Sequence, residues 1–564
     1  MAAACGGGDD ANDAHGGEDG AAPSNGDATT TTDVLDNPRW ASVVSGPEAS
    51  DEEPRGGGSI VVALQSEANS YLPSVSTVGQ PGVNVAYAIF DPLVARDANG
   101  EIRPYLAESI EPNADFSEWT LTLRPNVQFH DGTLLNAEAL KRNWDDYLTA
   151  PGTVSGSVAT QSVERMEVVD EQTVRYVLSK PNPTFPDLLE LQLGWPFSPD
   201  AADALGDEFG ERPVGTGPFK FVGWQRDNEF VVERNEDYWQ EGLPYLDEIR
   251  FRPIPDDATR AVALESGDVD AVQGRRLSEF VADVAAVEDA TVVLGLGNAG
   301  DGVLFNTDRP PTDDVRIRQA LAHAVDQGAL IEVAAGEAAE LVEARTQFFP
   351  RGSPFYSEAV AEASLGYEPD RARKLYEEYV NDPQRSDGKE VGEPVSIEFT
   401  TLSSPRQAEL GMAYKAFYEE AGFEVTVQLV EEADRTARAV SGDYQVQTFG
   451  KGLDRSPLGE FSFWFGDPEK IVTNFTRFHD DTIGDVIERL QKADDLEQQA
   501  ALADEMGKHL AEHVPWQWTG SAIPLIAAKD DVRGLRSWVF PDGTLGDGIA
   551  PGSTFWGQVW LKDG

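Results

Sequence analysis

Residues 119–133 read Trp-Thr-Leu-Thr-Leu-Arg-Pro-Asn-Val-Gln-Phe-His-Asp-Gly-Thr. Apolar and polar residues alternate over 119–124, and this period of two predicts a strand with one face in a core. Pro125-Asn126 favours a turn, and the apolar positions of 127–129 predict a second strand that ends at Asp131-Gly132. The stretch therefore predicts a β-hairpin.

The residues after this stretch have the spacing of an amphipathic helix. Asn136 is a good helix-capping residue. Leu140, Trp144 and Tyr147 then follow at helical intervals, which predicts one buried face. Because other segments with strand and helix patterns alternate irregularly along the chain, we predict a mixed α/β fold. These segments are strands at 59–64, 173–178, 219–223 and 230–233, and a helix capped by Asp314 that buries Ile317, Leu321 and Val325.

The composition excludes several classes of protein. The 564 residues include 99 acidic and 44 basic ones, for a formal net charge of −55. This excess of acid excludes nucleic-acid binding through a broad basic surface, because phosphates must be neutralised by Lys and Arg. A single Cys excludes a disulfide framework, a Cys-based zinc site and an iron–sulfur cluster. No apolar run approaches the ~18 residues of a bilayer-spanning helix.

The start of the chain resembles the lipid-modified end of a bacterial lipoprotein. Cys5 follows three alanines and precedes three glycines, as in a lipobox. The first 38 residues contain eight acids and no Lys or Arg, a composition typical of disordered linkers. We therefore expect lipid attachment at Cys5 and a disordered acidic linker over 1–56, with the membrane contacted only through the lipid. The alternative is a Cys without a role in a flexible tail.

Two short motifs match enzyme signatures but lack the required context. Gly295–Gly300 fits GxGxxG, yet a strand pattern follows it, whereas a dinucleotide site needs a helix N-terminus there. His509-Leu-Ala-Glu512-His513 fits the zinc motif HxxEH, whose third ligand is a downstream Glu. No Glu follows Glu512, and Pro515 ends the helix. We expect a solvated helix end, no metal, no cofactor and no enzymatic activity.

Eight short motifs occur in one order along the chain and together resemble the family 5 extracellular solute-binding proteins. This family comprises the dipeptide and oligopeptide receptors of bacterial ABC importers. The resemblance is collinear over about residues 57–540. The motifs are Pro104-Tyr-Leu-Ala-Glu-Ser109, 119–133, Asn136-Ala-Glu-Ala-Leu140, Val214-Gly-Thr-Gly-Pro-Phe219, Glu233-Arg-Asn-Glu-Asp-Tyr-Trp239, Gly267-Asp-Val-Asp270, 305–318 and Tyr367-Glu-Pro-Asp-Arg-Ala-Arg-Lys374.

The resemblance implies a two-lobed periplasmic-binding-protein-like fold of class II, in the large peptide-receptor form. Residues 57–305 are expected to form the first lobe, with an inserted subdomain at about 100–210. Residues 306–520 are expected to form the second lobe, and 521–564 to return to the first. The ligand of such a receptor is enclosed in the cleft between the lobes.

The resemblance also implies a position for the ligand's α-amine. Peptide receptors of the family bind the amine with an Asp in the motif W-x-x-D-Y-x-D/E-P. The corresponding stretch runs from Phe449 to Pro457 and contains Asp454. It lacks the Trp, has Arg455 in place of the Tyr, and differs in spacing by one or two residues. Asp454 is the predicted anchor, with Phe449 among the ligand-binding residues; the alternative is an Asp in a solvated loop.

Three tryptophans are further candidates for the site. Trp464, Trp516 and Trp518 lie in segments that could reach the cleft, where indole faces stack on sugars or on peptide side chains. The alternative for each is a place in the core.

The implied function is capture of short peptides outside the cytoplasmic membrane, by a monomer anchored to its outer face or free in the periplasm. The partners are then the permease and ATPase subunits of an ABC importer. One alternative is a receptor of the same family for an oligosaccharide or another small solute. A second is a sensor that uses the fold to report a ligand to a signalling partner.

Overall fold

The computed structural model describes residues 38–562 except for 77, 151–153, 276–279, 296–298, 352, 452–455, 470, 472, 494, 522–523 and 550–551. Cys5 and Asp454 therefore lie outside the described residues. The strands form one sheet of eight, one of five and one of four, together with two ribbons of two strands each. No helix of the described residues is long and apolar enough to cross a membrane.

The eight-stranded sheet has Ser59–Leu64 near its centre. This strand runs parallel to both of its neighbours and is almost wholly buried, which explains its continuous apolar sequence. Helix Gln80–Ile89 covers one face of the sheet, and helices Asp257–Ser266 and Phe280–Ala285 cover the other. In order across the sheet the strands are Val43–Ser45, Ala290–Leu294, Pro524–Lys529, Ala271–Arg275, Ser59–Leu64, Glu248–Pro253, Glu229–Arg234 and Phe219–Gln225.

The predicted linker 1–56 is too long at its C-terminal end. Val43–Ser45 pairs in parallel with Ala290–Leu294. Trp40 is 1% exposed, and its Nε1 donates a hydrogen bond to Glu340 at 2.7 Å. The polar composition of the whole segment obscured Trp40 and Val43, which are buried in the core on one face of the eight-stranded sheet.

The four-stranded sheet is antiparallel, in the order Ala107–Pro112, Glu118–Leu123, Thr173–Leu178 and Val163–Val168. Helix Ala137–Thr149 packs on it through Leu140, Trp144 and Tyr147. The Asn136 side chain accepts the Ala139 N–H at 2.9 Å, so the predicted cap and buried face are confirmed.

The predicted hairpin over 119–129 is wrong. Strand Glu118–Leu123 pairs with the strands on its two sides in the sheet and not with 127–129. Asn126 has a left-handed φ of 63°, and Gln128 forms a single bridge with Leu134. Alternation in sequence correctly indicated which residues are buried, but it carries no information about which strand is the partner.

The five-stranded sheet carries helices on both faces. Helices Val315–Ala324, Pro369–Val380 and Pro405–Glu420 cover one face. Helices Pro457–Trp464, Asp481–Leu490 and Leu496–His513 cover the other. The Asp314 side chain accepts the Arg316 N–H at 2.8 Å, which confirms the predicted cap. The strands are, in order, Glu424–Val430, Ser396–Leu402, Val446–Lys451, Gly300–Phe305 and Trp516–Ser521.

The chain passes between the two larger sheets at two adjacent places. Ala290–Leu294 and Pro524–Lys529 are antiparallel neighbours in the eight-stranded sheet. Gly300–Phe305 and Trp516–Ser521 are antiparallel neighbours in the five-stranded sheet. The crossings are residues 295–299 and 522–523. As expected, the GxGxxG match at Gly295–Gly300 is followed by a strand and not by a helix.

The remaining elements are short. Two ribbons are formed by Val94–Arg96 with Ile102–Pro104 and by Val532–Arg533 with Trp560–Leu561. The other helices and helical turns are Pro38–Trp40, Val154–Ser162, Phe185–Leu189, Gln192–Gly194, Pro199–Leu205, Gly206–Glu211, Gln327–Ala335, Gly336–Leu341, Glu358–Ala363, Glu432–Ser441 and Trp556–Gln558.

A buried carboxyl group joins helix Gln80–Ile89 to the motif that ends at Trp239. Asp91 is 1% exposed and accepts hydrogen bonds from Tyr238 Oη at 2.9 Å and from Trp239 Nε1 at 2.8 Å. Burial disfavours its charged form and raises the pKa of Asp91 to about 7, although these hydrogen bonds oppose the shift. The Tyr-Trp pair of this motif is therefore a structural feature of the fold.

We expect Asp91→Asn to change how stability depends on pH. Because the folded-state pKa lies above the ordinary value of 3.8, the folded state binds more protons than the unfolded state between about pH 4 and pH 7. This group's contribution to the free energy of unfolding therefore falls as pH rises through that window. The melting temperature of the wild type, measured from pH 4 to 7.5, should therefore fall relative to that of the variant as pH rises. A difference that stays constant would contradict the assignment.

Candidate functional site

Three strands of the five-stranded sheet reach the same edge, which faces the crossings. Gly300, the first residue of its strand, pairs with Lys451 and Ser521, the last residues of theirs. We call this the crossing edge. The segment 452–455, which contains Asp454, follows directly after Lys451. Because Asp454 itself lies outside the described residues, its role as the amine anchor stays a prediction.

The eight-stranded sheet presents a complementary edge. Ser59–Leu64, Glu248–Pro253 and Ala271–Arg275 run in one direction, antiparallel to Pro524–Lys529. Ala290–Leu294 is also antiparallel to Pro524–Lys529, so its carboxyl end lies at the same edge as theirs and continues into a crossing. Ligands of open α/β sheets bind outside the carboxyl ends of strands. We take the region between this edge and the crossing edge as the candidate ligand site and call it the groove.

The first side of the groove carries a small concavity with aromatic and acidic walls. Its lining includes Leu64, Glu67, Tyr71 and Trp224. The indole Nε1 of Trp224 donates to Glu67 at 3.0 Å, and the guanidinium of Arg226 lies 3.4 Å from the centre of the Trp224 ring. Sequence reasoning missed these residues because their spacing along the chain matches no motif.

The structure brings the four aromatic candidates of the sequence together. Trp516 and Trp518 stack with centroids 4.8 Å apart and an interplanar angle of 21°. Trp464 meets Trp516 edge to face at 5.1 Å, and Phe449 meets Trp464 at 6.3 Å. Phe449 and Trp518 lie on opposite sides of the same residue, Gly302, in the sheet register.

Gly302 leaves the space that this arrangement needs. A Cβ atom at this position would lie 2.5 Å from Trp516 Nε1 and 2.3 Å from the Gln517 carbonyl oxygen. Any side chain here would therefore displace the indole. The sequence signal was a glycine inside a strand pattern, which indicates a close approach of other groups.

The aromatic rings are largely packed against one another. Trp464, Trp516 and Trp518 are 7%, 6% and 9% exposed, while Phe449 is half-buried. Trp516 Nε1 is buried and has no hydrogen-bond partner among the described residues. A contribution of these four side chains to ligand binding stays a prediction. Other aromatic members of the cluster are Phe348, Phe461, Phe465 and Phe475.

A buried ion pair fixes the crossing edge to the helix that follows it. Lys451 Nζ lies 2.8 Å from Glu460 Oε1, and both side chains are 1% exposed. Trp464 Nε1 donates to the other carboxylate oxygen at 3.0 Å. A buried charge is tolerated only when it is paired, so removing either partner would leave a costly isolated ion. Glu460 belongs to the helix that Ser456 caps. The ion pair therefore fixes Lys451 and Ser456, the described residues on either side of 452–455.

A second buried cation lies at the same edge. Arg345 is 3% exposed, and its guanidinium lies 4.9 Å from the centre of the Trp518 ring. It donates to the Ala299 carbonyl at 3.0 Å and to the Gln347 carbonyl at 3.1 Å. The absence of a side chain at Gly300 leaves room for Arg345, because a Cβ atom there would lie 2.7 Å from Arg345 Cδ. Positive charge and flat aromatic surface therefore adjoin at the crossing edge.

The HxxEH residues lie at the opposite end of the five-stranded sheet. His509 and His513 occupy the last turn of helix Leu496–His513, which ends where Pro515 predicted. His509 Nε2 lies 2.7 Å from Asp480 Oδ2. The sequence argument excluded a zinc site because no Glu follows the motif. That argument is insufficient, because the fold brings the carboxylate of Asp480, which lies earlier in the chain, to the two histidines.

Comparison with known proteins identifies the family. The model of the bacterial extracellular solute-binding proteins, family 5 Middle, matches residues 101–471. The glutathione-binding protein GsiB of Shigella dysenteriae is 26% identical over 513 residues, which cover 86% of this chain and 92% of that protein. GsiB of Salmonella typhi is 30% identical over 322 residues, 57% of this chain and 61% of the relative. GsiB of Pectobacterium atrosepticum is 31% identical over 255 residues, 44% of this chain and about half (48%) of the relative.

Solved structures confirm the predicted fold class. AgaA of A. tumefacien R10, in complex with agropinic acid, has a TM-score of 0.78 at 27% identity, covering 89% of this chain and 99% of that one. DppA of Helicobacter pylori, in complex with the peptide STSA, has a TM-score of 0.77 at 22% identity, covering 90% and 99%. The latter likeness concerns the fold alone. The extent of the family match, together with the periplasmic-binding-protein fold, shows that this chain belongs to the family 5 bacterial extracellular solute-binding proteins.

Proposed function

We propose that the protein captures a short peptide in the groove between its two larger sheets and delivers it to the permease and ATPase of an ABC importer. One observation supports Asp454 as the residue that would bind the amine of a peptide. The strand Val446–Lys451, which leads into Asp454, ends at the crossing edge. Asp454 is three residues beyond Lys451, and three residues span at most about 11 Å. Asp454 is therefore close enough to the crossing edge to contact a ligand in the groove.

The chemistry of the crossing edge suits a zwitterionic ligand. A peptide amine in a closed, dry cleft requires a carboxylate partner, which Asp454 supplies. The buried guanidinium of Arg345 contributes positive charge at the same edge, where it favours a ligand carboxylate. The stacked Trp516 and Trp518 provide an apolar wall for side chains.

We further propose that the two larger sheets are the centres of two lobes. The first lobe then holds the strand Val43–Ser45, residues 57–294 and the return segment 524–564, with the four-stranded sheet as its inserted subdomain at about 100–210. The second lobe spans 300–521, because Gly300–Phe305 pairs in the five-stranded sheet. On this proposal the first boundary lies between Leu294 and Gly300, whereas the sequence predicted it at residue 305. Hinge closure about the crossings would enclose the ligand and favour the closed state by its differential affinity.

An oligosaccharide receptor of the same family is the second candidate. The observation that favours it is the aromatic surface around Trp518, together with the departure of 449–457 from the peptide-receptor motif. A sensor that reports the same ligand to a signalling partner would use the same groove, and the genes beside this one would distinguish it from a transport protein. In each case the ligand is bound without turnover.

We expect Asp454→Asn to weaken peptide binding. Loss of a charge-assisted hydrogen bond in a dry cleft costs ~1.5–3 kcal/mol, or about 10–150-fold in affinity. A cognate peptide at about 100 times its dissociation constant should stabilise the wild-type fold by ~2.7 kcal/mol. A thermal-shift screen over di- to pentapeptides, glutathione, oligosaccharides and metal chelates identifies the ligand. Calorimetry then compares the variants, and mass spectrometry should recover the peptide unchanged.

Two controls make this test specific. Asp443→Asn changes an exposed carboxylate paired with Arg309 at 2.9 Å, near the opposite end of the same strand, and should leave affinity unchanged. N-acetylated peptides should bind poorly even to the wild type, because they lack the charged amine. If acetylated and free peptides bind alike, Asp454 is not the anchor. If only an oligosaccharide shifts the melting temperature, the cargo is a sugar and Trp518→Leu should abolish its binding.

We also propose that the protein is held at the outer face of the membrane by lipid on Cys5, with the acidic segment after it as a tether. One acyl chain binds a membrane only marginally, so stable anchoring needs the several chains of a bacterial lipoprotein. When the protein is expressed with a lipoprotein signal peptide, the wild type should partition into detergent, and Cys5→Ala should remain in the aqueous phase. Equal partitioning of the two proteins would contradict lipidation.

A further inference from the structure

We propose a structural binding site for a divalent first-row transition ion, best suited to Zn²⁺, formed by Asp480, His509 and His513. One ligand atom from each residue lies within 4.8 Å of the others. The residues come from two helices of the same face of the five-stranded sheet. Asp480 caps helix Asp481–Leu490, and the two imidazoles occupy the last turn of Leu496–His513.

The imidazole of His513 is oriented as a metal ligand. Its Nδ1 lies 3.0 Å from the His509 carbonyl oxygen, which can only accept a hydrogen bond. The proton of the neutral ring is therefore on Nδ1, and Nε2 presents its lone pair. Metal-ligating histidines commonly donate their other N–H to a backbone carbonyl in this way. No hydrogen bond within the described part of the chain uses Nε2 of His513.

The carboxylate is held in a fixed orientation as well. Asp480 Oδ1 accepts the Ile483 N–H at 2.9 Å, while Oδ2 faces His509 Nε2 at 2.7 Å. A bound ion would replace the proton shared between Asp480 and His509 and separate their atoms by a few tenths of an ångström, to the spacing of ligands around zinc.

The surroundings keep both rings in place. Phe478 lies against His509 at 5.8 Å and against His513 at 5.2 Å, with interplanar angles of 28° and 30°. The two imidazole centroids are 4.3 Å apart. The end of the helix is fixed to its neighbour because Arg318 Nε donates to the His513 carbonyl at 2.8 Å. A preformed site on rigid elements needs little reorganisation to bind an ion.

The donor set selects the class of metal. Two imidazoles and a carboxylate suit zinc, nickel or copper, whereas calcium and magnesium prefer oxygen ligands alone. Three protein ligands leave a position for water. Asp480 is 33% exposed and His509 14% exposed at their side chains, so an ion can enter from solvent. The net charge of −55 raises the local concentration of cations.

The site is separate from the proposed ligand groove. His513 precedes Trp516–Ser521 at the Trp516 end, and Ser521 is at the crossing edge. A strand of this length spans about 20 Å at ~3.3 Å per residue. The ion would therefore link helices Asp481–Leu490 and Leu496–His513 at the end of the sheet away from the crossing edge. It would stabilise them without contacting the ligand.

The test is zinc binding by the full-length protein after EDTA treatment and removal of the chelator. Calorimetry with ZnCl₂ in 0.15 M NaCl, which screens loose binding to the acidic surface, should give one site in the wild type. Asp480→Asn keeps a capping side chain and removes the charge, and His513→Gln removes a ligand from an exposed helix end. Each should weaken binding at that site by at least about tenfold. Zinc should raise the melting temperature of the wild type but not of these two variants.

His479→Gln is the matched control, since His479 is adjacent in sequence but its Nδ1 lies against the Arg477 carbonyl at 2.8 Å, outside the cluster. This variant should bind zinc like the wild type. Cobalt should give the visible absorption of a tetrahedral site in the wild type and in His479→Gln but not in His513→Gln. Zinc binding that is equal in all variants, that occurs only at millimolar concentration, or that calcium displaces would overturn the proposal. Loss of peptide binding in a well-folded His513→Gln would overturn its separation from the groove.

Discussion

The two adjacent crossings between the larger sheets are the constraint on which the architecture depends. Ala290–Leu294 and Gly300–Phe305 are consecutive strands that lie in different sheets. The carboxyl end of the first strand and the amino end of the second are therefore only a few residues apart. The return from Trp516–Ser521 to Pro524–Lys529 repeats this tie beside it in the opposite direction. A third link is provided by Leu341, which packs in the core of the eight-stranded sheet. The candidate groove therefore adjoins the crossings, and the ends of several strands from both sheets lie beside it.

The crossing edge is stiffened by polar and aromatic groups whose positions depend on one another. Lys451 and Glu460 neutralise each other in the interior, and Trp464 donates a hydrogen bond to that carboxylate. Gly302 makes room for the stacked indoles, and the guanidinium of Arg345 lies over Trp518. Such buried charges are costly unless paired, so they hold the edge in one arrangement. An edge of this kind fixes the positions of Lys451 and Ser456, the described residues on either side of 452–455.

The net charge of the chain and the local chemistry of the site have different physical roles. A net charge of −55 favours solubility and repels anions over long range, but it does not direct the fold. Within that negative field, Arg345 and Lys451 are buried cations at the crossing edge. At the far end of the same sheet, Asp480 and two imidazoles gather where a cation would be attracted. Local chemistry therefore differs between the two ends of one sheet even though the chain as a whole is strongly acidic.

Several features were determined by local sequence alone. A short apolar run predicted the strand at 59–64, and capping chemistry predicted the caps at Asn136 and Asp314, because both signals depend on neighbouring residues. The family resemblance rested on short motifs in one order along the chain. The partner of Glu118–Leu123, the meeting of Phe449 with Trp464, Trp516 and Trp518, the Lys451–Glu460 pair and the approach of Asp480 to His509 were decided only by the tertiary structure. Each of these joins residues from separate elements, and alternation or spacing along one chain carries no record of which distant element will pack against it.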